Sequence, residues 1–494
     1  MSKTKLSKSR VVLGLQCSKA LYLSIHKPEL AEDVSESQQL MFDQGHSVGL
    51  LAQTRFPGGV AIDAPPTDSQ AALKKTADAI ASGTLTLYEA TFCHDDVLVK
   101  VDVLNRESPR HAWEIVEVKS STQVKDVHLS DVAVQVWVCR GAGLKVKTAS
   151  VMTINNQCVL PDLSDLFTLT DVTQEIDDHL SDLPKAIAGF KKMLATTAQP
   201  NIDIGPHCDD PYDCNFKPHC WSAKKIPTIS VFDVPRLATN KKWDFYGKGK
   251  VQLASLDVSA FNQTQVRMIE CTVNGKRFMD SAGIAAALKD WKFPLAFLDF
   301  ETVGYAIPRY PNQRPYQQIP FQFSCHVRAT KKSTLEHHEF LNESDADPRE
   351  AISKALLDSV PKSGSVVAYN MGFESGVLKS LAEMFPKYRA RLLEIDERLV
   401  DPLPIIRSHV YDPEFRGSFS IKAVAPALLG KSASYDGMAV GDGGDAQVAY
   451  LSMTDPKTEP AERARLRQAL LEYCRKDTLG MVDLVDWLFQ SSTS

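Results

Sequence analysis

The stretch Leu295-Ala-Phe-Leu-Asp299-Phe-Glu301 combines an apolar β-strand with two acidic residues. Side chains alternate across a strand, so Asp299 and Glu301 lie on the same face. Two like charges at that separation repel each other unless a cation neutralises them. The stretch therefore predicts a buried strand of an α/β domain. Its acids are either part of a cation site or a solvated strand end.

Two further motifs follow toward the C-terminus. Val366-Val-Ala-Tyr-Asn370-Met-Gly-Phe-Glu374 predicts a strand and then a helix whose first turn contains Glu374, where the helix dipole favours an acid. Leu471-Glu-Tyr473-Cys-Arg-Lys-Asp477 falls in a long helical pattern from about 461 to 489. Tyr473 and Asp477 are four residues apart and share one helical face. Each motif alone is an ordinary helix feature, and the ordered combination is the specific signal.

Asp-x-Glu, Asn-x-x-Phe-acid and Tyr-x-x-x-Asp in this order resemble the DEDD exonucleases of the RNase H-like fold, in their tyrosine subclass. The resemblance implies a 3′→5′ exonuclease in which Tyr473 positions the attacking water. It also implies four acids that bind two Mg²⁺ or Mn²⁺ ions, namely Asp299, Glu301, Glu374 and Asp477. Oxygen ligands of this kind favour these ions over zinc. One departure is Glu374, because the family usually has aspartate at that position.

A second group of polar residues lies in the N-terminal half. Leu98-Val-Lys-Val-Asp102 and Trp113-Glu-Ile-Val-Glu117-Val-Lys119 predict neighbouring strands, with Glu117 and Lys119 on one face. The acids can hold a metal while the lysine stabilises developing charge. A surface hairpin with a cross-strand salt bridge is the simpler interpretation. His46, on a helical segment upstream, and Gln135, on the helix after Lys119, favour the site.

This second set resembles the RecB-type branch of the PD-(D/E)XK nucleases. The resemblance implies a restriction-endonuclease-like fold, with Lys119 and Gln135 as catalytic residues. It also implies three metal ligands, namely His46, Asp102 and Glu117.

Four of the ten cysteines have a recognisable layout, because Cys17 stands alone near the start and Cys208-x5-Cys214-x5-Cys220 comes about 190 residues later. The layout resembles the iron–sulfur nucleases of the CRISPR-associated RecB-like family and of AddB. In that likeness the four thiolates bind a [4Fe–4S] cluster that joins the first helix to the end of the domain. A structural zinc ion is the alternative.

Three segments are therefore expected in an α/β chain. Residues 1–225 form a RecB-like PD-(D/E)XK nuclease domain, residues 226–288 a connector, and residues 289–494 an RNase H-like DEDD exonuclease domain. This order also resembles bacterial two-module proteins of unassigned function, in which a cluster-containing nuclease precedes an exonuclease.

The bulk composition limits the partners. The formal net charge is −5, so a nucleic acid must be held by local basic patches or by metals. The resemblance of the first half favours DNA over RNA. Tyr305, Tyr310 and Tyr316, after the first acidic strand, are candidates for stacking unpaired bases.

No stretch reaches the roughly 18–20 apolar residues of a membrane span. Near the start, Gln16 and Lys19 interrupt an apolar run that superficially suggests a signal peptide. We therefore expect a cytoplasmic protein with reduced cysteines. The function expected is a metal-dependent nuclease in DNA repair, processing or defence. There are two alternatives. Only one of the two domains is an active nuclease while the other binds nucleic acid, or the substrate is RNA.

Overall fold

The computed structural model describes residues 5–65 and 67–493 and divides the chain into two compact units. The first unit comprises the residues up to Lys225 together with Tyr305–Tyr316, and the second comprises Ile226–Gly304 and the residues from Gln317 onward. Both units mix helices with β-sheet, which confirms the α/β class. Within the described residues, no helix is long and apolar enough to cross a membrane.

The first unit is a seven-stranded sheet flanked by helices. Its elements are β1 (Leu6–Ser7), α1 (Lys8–Gln16), α2 (Ser18–His26), α3 (Glu36–Ala52), β2 (Val60–Ala61), α4 (Ser69–Ala81), β3 (Thr86–His94), β4 (Val97–Asn105), β5 (Trp113–Val118), α5 (Asp126–Gly141), β6 (Val146–Ile154), β7 (Phe167–Asp171), α6 (Asp177–Leu194) and α7 (Lys217–Ala223).

The strand order in this sheet is β2-β3-β4-β5-β6-β7, with β1 paired to β4. Strands β3, β4 and β5 are antiparallel, whereas β5 and β6 are parallel. A parallel pair needs a crossover, and α5 supplies it. The faces of α5 that meet the sheet carry valines such as Val132, Val134 and Val136, all fully buried. Helix α5 therefore forms the centre of the core of the first unit.

The second unit is built around a five-stranded sheet and a two-stranded pair. Its elements are α8 (Thr239–Gly247), α9 (Gln263–Asn274), β8 (Phe278–Met279), α10 (Ser281–Leu288), β9 (Leu295–Gly304), β10 (Gln318–Arg328), β11 (Leu335–Leu341), α11 (Arg349–Ser359), β12 (Ser365–Val367), α12 (Gly372–Met384), α13 (Arg389–Glu397), β13 (Leu399–Val400), α14 (Pro402–His409), β14 (Val410–Tyr411), α15 (Ile421–Leu429), α16 (Gly443–Thr454) and α17 (Pro460–Ser491).

The five-stranded sheet has the order β11-β10-β9-β12-β13. Strands β11, β10 and β9 are antiparallel neighbours, while β12 and β13 run parallel to β9. The strand, the helix start at Glu374 and the long C-terminal helix predicted from the three acidic motifs correspond to β9, α12 and α17. The strand that carries Asp299 and Glu301 therefore lies at the centre of the sheet.

The predicted connector, residues 226–288, belongs to the second unit rather than standing apart from it. Helices α9 and α10 bury Met268, Ile269 and Ile284 in one hydrophobic cluster with Ile406 and Leu488. Short helices with few apolar repeats carry little periodic signal, and the core that they join is formed mainly by distant parts of the chain. The packing of the segment therefore could not be predicted from its own sequence.

Candidate functional site

The acids predicted from the C-terminal motifs converge in the second unit. Asp299 and Glu301 lie on β9, and α17 packs across β9 and β10 so that Asp477 reaches the same place. Two contacts fix α17 against the sheet: Gln322 Nε2 donates to Leu470 O at 2.8 Å, and the Ser324 and Thr478 hydroxyl oxygens are 2.7 Å apart. The register of β10 is irregular beside Glu301, between Pro320 and Gln322. Such irregularities are common next to active sites.

Glu301 and Asp477 are buried and Asp299 is partly buried, without enough positive charge nearby to balance them. Burial and the neighbouring carboxyls raise the pKa of Asp299 well above its usual range. Burial and the Asp477 carboxylate raise the pKa of Glu301 to about 8, although the Lys422 ammonium acts in the opposite direction. Burial also raises the pKa of Asp477. A bound cation would offset this repulsion, so the donor set fits divalent metal ions.

Glu374 gives an independent sign of a missing partner. It lies in the first turn of α12, is 3% exposed, and its Oε2 is buried without a hydrogen-bond partner among the described residues. Burial raises its pKa to about 8, and Asp401 adds to the increase. Buried polar atoms are normally satisfied, so an orphaned carboxylate oxygen indicates an absent ligand. Asp401 itself caps α14 through Leu403 N at 2.8 Å, which is a structural role.

Cys474 is a member of the site that the sequence interpretation did not include. It is buried, and its Sγ lies 3.6 Å from Asp299 Oδ2. Ligand atoms of Asp299, Glu301 and Cys474 all lie within 4.8 Å of one another. The position of Cys474, directly after Tyr473 and three residues before Asp477 on one helix, is the signal that could have revealed it.

Tyr473 is held by a lysine. Lys422 Nζ, on α15, donates to Tyr473 Oη at 2.9 Å and to Gly441 O at 2.6 Å. Burial and the surrounding carboxylates raise the pKa of Tyr473, so its hydroxyl keeps its proton. Because the phenol oxygen already accepts from Lys422, that proton is directed to another acceptor, and a hydrogen bond from Tyr473 acts to lower the pKa of Asp477. Tyr435 also enters the site, donating from its hydroxyl to Asp477 Oδ1 at 2.6 Å.

The raised carboxyl pKa values predict how metal-free protein responds to pH. Glu301 and Glu374 ionise near 4.5 when unfolded but near 8 when folded. Between these values the folded state binds more protons, so we expect the free energy of unfolding to fall as the pH rises from 4.5 to about 8. Thermal unfolding in EDTA measures this decrease, and Mg²⁺ or Mn²⁺ should reverse it at pH 8.

A matched pair of variants controls this prediction. Glu301→Gln removes one of the titrating groups and should flatten the pH dependence, whereas Glu383→Gln, at an exposed position of α12, should leave it unchanged. A pH dependence that Glu301→Gln does not alter would contradict the assignment.

In the first unit, β4 and β5 bring Asp102 and Glu117 together as predicted. Asp102 Oδ2 accepts from the backbone N–H of Val118 at 2.7 Å. Burial, together with the Glu117 charge, raises the pKa of Asp102 to about 8. Lys119 Nζ lies 2.8 Å from Glu117 Oε1 and also pairs with Asp131 on α5. The predicted Glu-x-Lys pair is therefore in place on one face.

Glu117 is already fully engaged by protein donors. Lys8 Nζ, from the start of α1, contacts Glu117 Oε1 at 2.5 Å, and the Gln135 side-chain amide donates to Glu117 Oε2. Burial acts to raise the pKa of Glu117, but the ammonium groups of Lys8 and Lys119 outweigh it and lower the pKa to about 2. Lys8 was missed from the sequence because it lies 109 residues from Glu117.

His46 and Asp102 line one cavity of about 440 Å³, together with Glu89 and Lys100. Glu89 was also missed from the sequence. It lies on β3 where the pairing with β4 is interrupted, at a backbone φ of 57°. A residue other than glycine in this region is strained, and such residues cluster at functional sites. His46 is exposed and contributes to the cavity wall.

Removing Lys8 tests the charge balance around Glu117. We expect Lys8→Met to lower the free energy of unfolding of the first unit by about 1.5–3 kcal/mol in EDTA, the usual contribution of a hydrogen bond to a charged group. It should also increase the stabilisation by added Mn²⁺, because the ammonium no longer competes for Glu117. Denaturant unfolding with and without Mn²⁺ measures both effects. Lys5→Met, at an exposed position, is the control, and equal effects of the two substitutions would exclude this role of Lys8.

The four motif cysteines gather in the first unit. Burial raises the pKa of Cys208 to about 11, and the charges of Cys214, Cys17 and Cys220 add to this, which places all four within electrostatic range. Gln16, next to Cys17, donates from Nε2 to His207 O at 2.8 Å and to Tyr212 O at 2.7 Å.

The four thiols are a donor set that suits both an iron–sulfur cluster and a structural zinc ion. The choice of a [4Fe–4S] cluster over zinc stays a prediction, which metal analysis decides.

The three tyrosines predicted to stack bases, Tyr305, Tyr310 and Tyr316, belong to the first unit. Tyr310 is buried, and Tyr316 donates from its hydroxyl to Ser120 O. The segment Tyr305–Tyr316 leaves the sheet after β9 and packs with the first unit. Base stacking by these tyrosines stays a prediction.

Residues 296–420 match the family profile of a domain of unknown function (DUF2779), which covers β9 through the segment before α15. No curated protein matches the chain.

Proposed function

We propose that the chain is a metal-dependent nuclease and that its second unit hydrolyses phosphodiesters, releasing nucleotides from 3′ ends. The observation that carries the proposal is a group of four acids whose charges the surrounding protein does not balance. Glu301, Glu374 and Asp477 are buried, and Asp299 is partly buried. Buried acid clusters without cations are costly. A site with this property, next to a tyrosine held in place by a lysine, has the composition expected of a phosphodiester hydrolase.

The strand order supports the resemblance noted from the sequence. Numbered along the chain, the strands of the large sheet run 3-2-1-4-5, with the first three antiparallel and the last two parallel to the first. This is the arrangement expected of an RNase H-like fold. The acids lie on the first strand, on the helix after the fourth strand and on the C-terminal helix, in the order that the resemblance implies.

The roles of the residues follow from their contacts. The four acids would hold two divalent ions, which when bound supply an activated water and stabilise charge on the attacking and leaving oxygens. Tyr473 keeps its proton and can donate it in a hydrogen bond that orients a water molecule. Lys422 fixes the Tyr473 ring through the phenol oxygen and adds positive charge beside Glu301.

The first unit has the weaker chemical case for catalysis, and a specific observation favours a second candidate function for it. Both carboxylate oxygens of Glu117 already accept from Lys8, Lys119 and Gln135, so this acid is balanced without a metal. The second candidate is therefore a protein with one active site, in the second unit, whose first unit binds nucleic acid. The strand order β3-β4-β5-β6 around the crossover α5 supports the PD-(D/E)XK resemblance in either case.

The test is a nuclease assay on single-stranded and duplex DNA and RNA, with each end blocked in turn, in Mg²⁺ and in Mn²⁺. We expect digestion from free 3′ ends that Asp299→Asn abolishes. If Lys119→Met leaves the rate unchanged, only the second unit is active, and if it removes an endonucleolytic product, both are. Absence of cleavage on every substrate would refute the proposal.

A further inference from the structure

A large cavity lies entirely within the second unit, and parts of its wall come from segments that also carry residues of the proposed catalytic site. Its volume is about 770 Å³, inside the range of about 300–1,000 Å³ typical of ligand pockets. Asn370, four residues before Glu374, forms part of its wall, as do Ser420 and Ile421, which directly precede Lys422. The cavity therefore adjoins the proposed catalytic site through two of the segments that build that site.

The charge of the cavity is positive. Arg236 and Arg407 line it, and none of its lining residues is acidic. In the described part of the chain, neither guanidinium forms an ion pair or a hydrogen bond, although Arg407 lies 5.9 Å from the centre of the Phe419 ring. Burial, and then repulsion from Arg236, lower the pKa of Arg407. Two adjacent cations without a counter-ion indicate that an anion completes the cavity.

The nearest acid cannot serve as that anion. Asp401 acts on Arg407 electrostatically, but its carboxylate is committed to backbone N–H groups, those of Asn370 at 3.0 Å, Met371 at 3.3 Å and Leu403 at 2.8 Å. These bonds fix the turn at the end of β12, where Asn370 has a φ of 64°. The carboxylate therefore shapes the cavity wall while the arginines remain open to a ligand.

The remaining walls fit a nucleobase. Tyr369 and Phe419 offer aromatic surface, and the Tyr369 ring is fixed because its hydroxyl donates to Phe419 O at 2.7 Å. Asn370, Asn262 and Gln263 provide amides that can hydrogen-bond base edges. Aromatic stacking combined with arginine contacts to phosphate is how proteins bind single strands without reading their sequence.

We infer that this cavity binds a nucleotide of the single strand being cut, with its phosphate between Arg236 and Arg407 and its base against Tyr369. The inference rests on the proposed function and adds a substrate-binding role for the segment 226–288, which supplies Arg236, Asn262 and Gln263. In this arrangement the cavity holds the strand in register, and the 3′ end of the strand lies at the acids. A free mononucleotide offers the same chemistry, and the test separates the two sources.

Photocrosslinking locates the ligand. Full-length protein in Ca²⁺, which limits cleavage, is irradiated with single-stranded DNA or RNA hexamers that carry 5-iodouracil at one position, and the crosslinked peptide is identified by mass spectrometry. We expect a crosslink to Tyr369 or Phe419 for at least one position near the 3′ end. The double variant Arg236→Met, Arg407→Met should reduce it about tenfold or more, and Arg389→Met, at an exposed position of α13, should not.

Salt dependence provides the second measurement. The slope of log affinity against log salt becomes shallower by about 0.7 for each phosphate of a single strand that the protein no longer neutralises. The double variant should therefore show a shallower slope than Arg389→Met in fluorescence anisotropy with the same hexamers. An unchanged slope together with an unchanged crosslink overturns the inference. Crosslinking of 5-iodouridine monophosphate but of no hexamer also overturns it.

A failure of the proposed function would give a different experimental result. If the unsubstituted protein cleaves no nucleic acid in Mg²⁺ or Mn²⁺ but still gives the Tyr369 crosslink, the cavity assignment stands and the catalytic proposal falls. If cleavage occurs and the crosslink maps to other peptides, the catalytic proposal stands and the cavity assignment falls.

Discussion

Replacing Asp299 with asparagine is expected to lower the rate of 3′-end cleavage by more than about 100-fold. Removing a residue that only hydrogen-bonds to a metal ligand already lowers metal affinity or activity by about 10–100-fold, and Asp299 is itself a proposed ligand. The same substitution should make the metal-free protein more stable at pH 8. It removes one ionisable group from a cluster in which the carboxyls raise each other's pKa. An inactive variant that is more stable in EDTA cannot be explained by misfolding.

The two measurements for Asp299→Asn are single-turnover cleavage of a 3′-labelled strand and thermal unfolding in EDTA. Asp290→Asn, at an exposed position shortly before β9, is the matched control and should change neither. Cleavage that persists in Asp299→Asn would place the active site elsewhere. Lower activity combined with lower stability in EDTA would contradict the argument from charge repulsion.

Replacing Cys208 with serine is expected to have the largest effect on stability. A metal centre that forms only in the folded state contributes its binding free energy to folding. We expect the first unit to lose at least about 5 kcal/mol, which lowers its midpoint by roughly 10–20 °C in a unit of this size. The visible absorption of an iron–sulfur cluster should disappear, while the unfolding transition of the second unit stays in place.

Metal analysis decides the identity of the centre. Iron and sulfide in equal amounts, with a brown colour, would support the cluster, and one zinc ion in colourless protein would support the alternative. Cys93→Ser is the control, because Cys93 is partly buried at the end of β3 and lies outside the four-cysteine set. If Cys208→Ser retains both metal and midpoint, the four cysteines are not ligands.

The parts of the structure that the sequence predicted are those with strong local signals. The period-two alternation around Asp299 and the four-residue spacing of Tyr473 and Asp477 each follow from the geometry of one element. The β4–β5 pair and the helix carrying Gln135 were predicted for the same reason. Most of the candidate site residues lie on these elements.

The parts that were missed depend on contacts between distant segments. Lys8 reaches Glu117 only because α1 packs beside α5, and Glu89 enters the cavity through an interruption in strand pairing. Tyr435 joins the second site from a loop whose local pattern gives no sign of it. Periodicity in a single sequence reflects only local geometry, so these residues could be found only from the fold.

The segment Tyr305–Tyr316 has a consequence for how the protein is made. It belongs to the first unit, where Ala306 completes a small buried cluster with Val48, Ile154 and Leu166, yet it is encoded between two strands of the second unit. During translation, the first unit therefore cannot complete its hydrophobic core until this segment has left the ribosome. A chain cut at residue 225 would lack part of its own interior, so the two halves should be expressed as one polypeptide.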